Sequence, residues 1–260
     1  MRKQIAAIAV AALLVFAGCS AGGDGGATTT AAETTGTTGG DASPVYESPL
    51  DGQTVAENHE AVVRDAGTFT LVSTSNQTQG EQSFVVNSTT AVDLESGEYF
   101  SRQEAQGRSV EEYGYGNDTA FRKLSVASGE TQYSVPQQTP NTSQLAGSQI
   151  ASFVDAFSLS HTGTESVDGT ETHVYEASGV EDLNDSAPGF SQIDADNVTA
   201  IDAQVYVTDD GLVKRFAYSL SVSTEQGNVS LGVDQRYAEV GSTTVEQPAW
   251  LDDARENTSA

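Results

Sequence analysis

The C-terminal half of the chain alternates apolar and polar residues with a period of two. The apolar positions form three runs, Ile201 to Val207, Phe216 to Val222 and Val229 to Tyr237. Asp209-Asp210-Gly211 and Gly227 separate the runs. A period of two is typical of strands with one buried and one solvated face, and glycine-containing turns join antiparallel neighbours. The pattern therefore predicts an antiparallel meander.

The preceding part of the chain predicts shorter strands and two helices. Thr54 and Glu57 read as a capping box that opens a helix, and Gly67 ends it. His59 falls on the apolar face of this helix, where a packed core histidine is expected rather than a ligand. A second, weaker helix is predicted over Ser143 to Phe157, because Gly147 and several serines dilute its pattern. The fold class is mostly β (α+β): a strongly curved antiparallel sheet, or half-barrel, of about ten strands that wraps one or two helices.

Two segments carry a resemblance to a known group of proteins. They run from Glu165 to Tyr175, with the turn Val167-Asp168-Gly169, and from Val205 to Phe216, with the turn Asp209-Asp210-Gly211. With the order of helices and hairpins, they make the body similar to the LolA/LolB and LppX/LprG lipoprotein and lipid carriers. The whole chain also resembles secreted lipoproteins of halophilic archaea. The resemblance implies a half-barrel with an apolar cavity for acyl chains, and it brings no catalytic residue.

The N-terminus indicates export and a lipid anchor. Arg2-Lys3 precede an apolar stretch from Ile5 to Phe16, and Ala17-Gly18 precede Cys19. Residues 1–18 read as a signal peptide, since the apolar stretch is shorter than the roughly 20 residues of a spanning helix. Cys19, the only cysteine, stands where a prokaryotic lipobox places its lipidated residue. The alternative is a plain signal peptide with a stray cysteine.

The organisation after the cleavage site follows from composition. Residues 19–44 are rich in Gly, Thr, Ala and Ser and predict a flexible tether behind the lipidated cysteine. Residues 45–251 predict a single LolA/LppX-like domain, and residues 252–260 a polar tail. The predicted location is the extracellular face of the cell membrane.

Acidic residues dominate the charge. The chain has 37 acidic and 11 basic residues, and without residues 1–18 its formal net charge is −28. The electrostatic field of this negative charge repels phosphate backbones, so nucleic-acid binding is not expected. Multimolar salt screens such repulsion, and the composition is typical of a halophilic archaeon. An acidic mesophilic protein or a binder of multivalent cations is the alternative.

Asparagine usage indicates glycosylation. Of nine asparagines, all but Asn58 occur in Asn-x-Ser/Thr. Co-occurrence of Asn, Ser and Thr in turns is the alternative explanation. The eight candidate acceptors are Asn76, Asn87, Asn117, Asn141, Asn184, Asn197, Asn228 and Asn257.

The sequence contains no recognisable catalytic or metal-binding motif. The three histidines, His59, His161 and His173, are scattered, and no zinc, phosphate-loop or nucleophile-elbow motif occurs. His161 and His173 are expected to be exposed neighbours on paired strands. The acids of the 181–197 loop lack the spacing of an EF-hand. The sequence thus predicts no enzyme, no cofactor and no metal site.

Two functions remain open. The first is a surface lipoprotein that holds a lipid or other apolar ligand in the half-barrel, with the long loop 181–197 as a lid. The second is a glycosylated structural or interaction component of the cell envelope without a ligand. Ligand-lining candidates share one strand parity, although the same residues would also fill an ordinary core: Phe69, Leu71, Phe84, Val86, Phe216, Tyr218, Leu220 and Leu231.

Overall fold

The computed structural model describes residues 43–117, 119–147, 149–187, 190, 193, 195–225 and 227–258. In this part of the chain four α-helices occur, besides two 3₁₀ turns: α1 (Gly52–Ala66), α2 (Thr142–Leu145), α3 (Ile150–Asp155) and α4 (Leu251–Thr258). None of these helices is long and apolar enough to cross a membrane. The signal peptide, Cys19 and most of the predicted tether lie outside the described residues.

Eleven strands form one antiparallel sheet, in the order β6-β5-β4-β3-β2-β1-β11-β10-β9-β8-β7. They are β1 (Thr68–Gln79), β2 (Gln82–Asp93), β3 (Glu98–Ala105), β4 (Arg108–Tyr115), β5 (Ala120–Val126), β6 (Thr131–Ser134), β7 (Ser160–Val167), β8 (Thr170–Ala177), β9 (Val198–Val207), β10 (Val213–Thr224) and β11 (Gly227–Ala238). The predicted fold class is confirmed, with eleven strands where about ten were expected.

The sheet curves around two of the helices. One core cluster joins Tyr99 of β3 and Tyr175 of β8 to side chains of α1 and α3. Neighbouring strands lie about 4.8 Å apart, so β3 and β8 would be nearly 30 Å apart in a flat sheet. A helix is only about 10–12 Å wide. Strands this far apart share a core with α1 and α3 because the sheet wraps around them.

One face of the sheet, here called the inner face, contacts these helices. The Tyr237 ring on β11 lies 4.3 Å from the His59 ring on α1. The Phe216 ring on β10 lies 4.7 Å from the Phe153 ring on α3. The opposite, outer face carries ion pairs such as Arg215 to Asp234, at 2.6 Å. This is the one-sided burial that the alternating sequence predicts.

The first helix begins earlier than its sequence indicates. Asp51, not Thr54, is the N-cap: its carboxylate accepts a hydrogen bond from the Thr54 backbone N–H at 2.8 Å. The predicted capping box is therefore wrong, because Thr54 already lies inside the first turn. The C-terminus is as predicted, since Gly67 adopts a left-handed φ of 76° that favours glycine.

The predicted second helix, Ser143 to Phe157, is divided into α2 and α3. The break lies at Gly147, which packs directly against α1. A Cβ atom there would come within 2.7 Å of Glu60 Cγ and 3.3 Å of His59 Cδ2. The chain approaches α1 so closely at this point that only glycine fits.

The C-terminal segment packs as a helix on the outer face. Trp250, Leu251 and Ala254 are buried against Tyr113 of β4 in a second, smaller core cluster. The Tyr133 ring of β6 stacks on Trp250 at 6.3 Å. The packed body therefore continues to Thr258 rather than ending at Leu251 in a polar tail.

Candidate ligand site on the inner face

The strand register supports a common orientation for the predicted lining residues. Phe69 pairs with Val92 and Leu71 with Tyr237, which places them on the inner face. The pairs of Leu220 with Leu231 and of Phe216 with Val205 continue this face across β9, β10 and β11. All eight candidates have inner-face parity.

Four of the eight form the core rather than an open wall. Phe69, Leu71, Phe216 and Leu220 are buried in the cluster that includes α1 and α3. Tyr218 is half-buried and packs at the edge of this cluster. In this part of the sheet the helices already occupy the place that a ligand would need.

Beyond the helices, the inner face carries four apolar side chains, two on each side of β1, whose Gln77 pairs with both Phe84 and Leu231. We call Phe84, Val86, Val229 and Leu231 the distal strip; they lie near the β1–β2 and β10–β11 turns. Val86, Val229 and Leu231 are buried, but the two clusters defined among the described residues do not include them. The Phe84 side chain is 37% exposed. The distal strip thus lies outside the core that includes α1 and α3, and Phe84 is its one exposed member.

The predicted lid packs against the core of the inner face, and Phe190 itself belongs to the main core cluster. Its first part is held by a β-bridge from Leu183 to Phe157, which follows α3. Farther along the loop, the buried Phe190 ring lies 5.4 Å from Phe157 and 5.7 Å from Tyr218 of β10. The loop therefore inserts an aromatic ring next to the half-buried ring of Tyr218.

The surroundings of Tyr218 are apolar. Its ring lies 5.8 Å from both Phe153 and Phe157, and Phe190 covers another side. Burial raises the pKa of the Tyr218 hydroxyl. The group stays neutral at physiological pH, so this part of the face carries no charge.

Polar groups on the inner face of β3 to β5 are paired with one another. The Tyr99 hydroxyl donates to Glu112 at 2.6 Å, and Arg122 donates to the other Glu112 oxygen through two nitrogens, at 2.6 and 2.8 Å. Burial and the Glu112 contact raise the pKa of Tyr99. A cavity of about 200 Å³ beside Tyr99 is lined mainly by glycine, threonine and asparagine. It is smaller than the roughly 300–1,000 Å³ of ordinary ligand pockets.

The histidines occupy two environments. His59 is fully buried; its Nδ1 accepts from the Val213 backbone N–H at 3.1 Å, and its Nε2 donates to the Ala146 carbonyl at 2.7 Å. The core assignment of His59 is thus confirmed. His161 and His173 are neighbours across β7 and β8, but His173 is buried, contrary to the prediction. Within the described residues, no group of three or more His, Cys, Asp or Glu side chains is arranged to hold a metal.

All eight predicted glycan acceptors are exposed. Asn76, Asn87 and Asn228 lie on the outer face of β1, β2 and β11. The Asn184 and Asn257 side chains donate hydrogen bonds to backbone carbonyls. Attachment of sugars to these residues remains a prediction.

Sequence reasoning missed the role of Phe190. It is the only aromatic residue between Gly179 and Asn197, in a loop of acids, small residues and one proline. A single phenylalanine in an otherwise mostly polar loop indicates a buried contact, because burial of its side chain is favourable by roughly 1.5–3 kcal/mol.

Comparison with known proteins gives a family and several distant structural similarities. A family model described as a family of unknown function (DUF7537) matches residues 4–254. No curated protein is significantly similar in sequence. LprF from Mycobacterium bovis shares 14% identity with a TM-score of 0.43, covering 78% of this chain and 99% of LprF. The lipoprotein LppX from Mycobacterium tuberculosis shares 15% identity with a TM-score of 0.28, covering 75% and 99%. A LolA superfamily protein from Nitrosomonas europaea shares 10% identity with a TM-score of 0.21, covering 76% and 95%. None of these similarities assigns a ligand to this chain.

Proposed function

The chain belongs to the DUF7537 family, and we propose that it is a membrane-anchored, cell-surface lipoprotein that binds a lipid or other apolar ligand on its inner face. The anchor is a lipid on Cys19, and the Gly- and Thr-rich segment behind it is the tether. The ligand lies against the distal strip and extends toward Tyr218.

The exposure of Phe84 carries the proposal. Among the described residues only two large apolar side chains are exposed, Phe84 and Val135. Val135 follows the short strand β6, whereas Phe84 lies within the apolar distal strip, next to Val86 on its own strand. An exposed apolar side chain continuous with buried ones is typical of a ligand-binding surface.

Phe190 gives the site a means of opening. Its ring packs on Phe157 and Tyr218 within the aromatic part of the core. Displacement of the loop would expose Tyr218 and lengthen the apolar surface from the strand turns to α3. A long apolar chain fits this elongated surface, and a compact polar ligand does not.

Binding of a fluorescent fatty acid tests the proposal. We expect the mature protein to bind it, and Phe84→Ser to weaken binding about tenfold, because one large apolar contact is worth roughly 1.5–3 kcal/mol. Val135→Ser is the matched control, since it removes an exposed apolar side chain away from the inner face. Equal weakening by both variants, or no binding by the parent, would favour the ligand-free envelope role.

A further inference from the structure

The inner face of β2 to β5 is opposite in sign to the net charge of the chain. In these strands, all of whose residues the structure describes, the register assigns only three charged side chains to this face: Arg108, Glu112 and Arg122. Its formal charge is therefore +1. The outer face of the same strands has a formal charge of −2, from four acids and two basic residues: Asp93, Glu98, Glu104, Glu111, Arg102 and Lys123.

Arg108 gives the inner face its net sign. The charges of Glu112 and Arg122 offset each other, because the two side chains form an ion pair at 2.6 Å. Arg108 is exposed at the start of β4, directly after the turn at Gln106 and Gly107. An exposed guanidinium lets a bound anion keep part of its hydration, which lowers the desolvation cost of binding.

Arg108 also begins a cross-strand row that ends in the candidate ligand site. The row contains one residue from each of six adjacent strands, β4, β3, β2, β1, β11 and β10, and each residue pairs directly with the next. At the usual strand spacing it is about 24 Å long, and shorter where the sheet curves. Its members are Arg108, Ala105, Val86, Ser75, Val233 and Tyr218. The row thus has a guanidinium at one end, an aromatic ring at the other and mainly apolar side chains between them.

Apolar side chains also flank Arg108 on β4 and β5. Val126 pairs directly with Arg108, and Leu124 pairs with Val110, which is the next inner-face residue of β4. All three apolar side chains are half-buried, and the two core clusters do not include them. The guanidinium therefore lies beside apolar surface rather than among other charges.

We propose that the ligand is an amphiphile with one anionic headgroup, that Arg108 binds the headgroup, and that the acyl chain follows the row toward Tyr218. This inference rests on the proposed function, which supplies the apolar part of the site. The N–H donors of a guanidinium match the paired oxygens of a carboxylate or a phosphate. Multimolar salt reduces the Debye length to about 3 Å or less, so the headgroup responds to this direct contact and not to distant acids.

Displacement of a neutral apolar dye by dodecanoate and by dodecanol tests the headgroup preference in multimolar KCl at pH 8. The two competitors have the same chain length and differ in charge, so the ratio of their dissociation constants reports recognition of the anion. We expect Arg108→Gln to reduce the preference for dodecanoate about tenfold, because it removes a charge-assisted contact. Arg102→Gln is the matched control: it removes the same charge from the outer face of β3 and should leave the ratio unchanged.

The possible outcomes separate this inference from the proposed function. A parent protein that binds neither competitor would refute both. Binding of both competitors with the same ratio in the parent and Arg108→Gln, or an equal change of the ratio in Arg108→Gln and Arg102→Gln, would overturn only the role of Arg108. Displacement of dodecanoate by millimolar acetate would show that the site recognises the anion without its chain, which would likewise overturn the inference.

Discussion

The ring of Phe190 lies 5.7 Å from the ring of Tyr218 and joins the loop before β9 to the inner face of β10. The two residues are 28 positions apart, and a strand and a hairpin turn separate them in the sequence. Through this contact the loop packs against the core that α1 and α3 form with the sheet. In the proposed function, this contact breaks when the ligand enters.

Removal of the Phe190 ring should accelerate ligand exchange. We expect Phe190→Ala to raise the dissociation rate of a bound fluorescent fatty acid about tenfold, because the barrier no longer includes separation of an aromatic contact of about 0.5–1.5 kcal/mol and burial of the ring. Stopped-flow displacement measures this rate. Val180→Ala, at a partly buried position at the start of the same loop, is the control. Identical rates in both variants would exclude a lid role for Phe190.

Acid should destabilise the protein through His59. Burial lowers the pKa of His59 from 6.5 to about 4, so the unfolded chain binds a proton that the folded protein excludes between these values. Stability is therefore lost as pH falls below 6.5, by about 2 kcal/mol at pH 5.

Comparison of the pH dependence of stability in the parent and in His59→Gln separates the contribution of His59 from that of the many carboxylates. Denaturant unfolding at pH 7 and pH 5 should give a smaller stability loss for His59→Gln than for the parent. His161→Gln is the control and should retain most of the parent's pH dependence, because the His161 ring is only partly buried. Equal pH dependence in the parent and His59→Gln would mean that the His59 pKa is not depressed.

Replacement of Cys19 should release the protein from membranes. Cys19→Ser removes the predicted site of lipid attachment, and without the acyl chains the acidic body has no apolar anchor. Fractionation of cells that express the variant should find it in the soluble fraction. Ser20→Ala is the matched control and should stay membrane-bound. Retention of Cys19→Ser on membranes would show that another segment holds the protein there.

Glycosylation should follow the sequons and not exposure alone. Asn87 lies on the exposed outer face within Asn-x-Thr, whereas Asn58 is exposed but lies outside any sequon. Intact mass should fall by one glycan in Asn87→Gln and should not lose a glycan in Asn58→Gln. A parent mass equal to that of the bare polypeptide would remove the glycan prediction for all eight sites.

The sequence predicts well those features that local periodicity encodes. Alternation assigns Phe84, Phe216 and Leu231 to a common face, and Gly67 ends α1 as expected. Features that depend on contacts between distant segments were missed. Gly147 breaks the second helix because it touches α1, and the docking of α4 becomes visible only when Tyr113 and Tyr133 lie beneath it.

The candidate site, too, is only partly predictable from the sequence. Parity alone gives Leu220 and Phe84 the same status, yet α1 and α3 cover the first and not the second. The extent of this cover depends on how two short helices lie in the curved sheet. The spacing of residues within one strand carries no information about it.

Native mass spectrometry of the protein purified in high salt from its own membrane is the direct test of ligand binding on the inner face. We expect a body carrying an additional mass at one copy per chain, which organic extraction releases as a lipid and which Phe84→Ser reduces relative to Val135→Ser. A protein that carries only its Cys19 lipid and any attached sugars, with nothing extractable, would contradict ligand binding on the inner face.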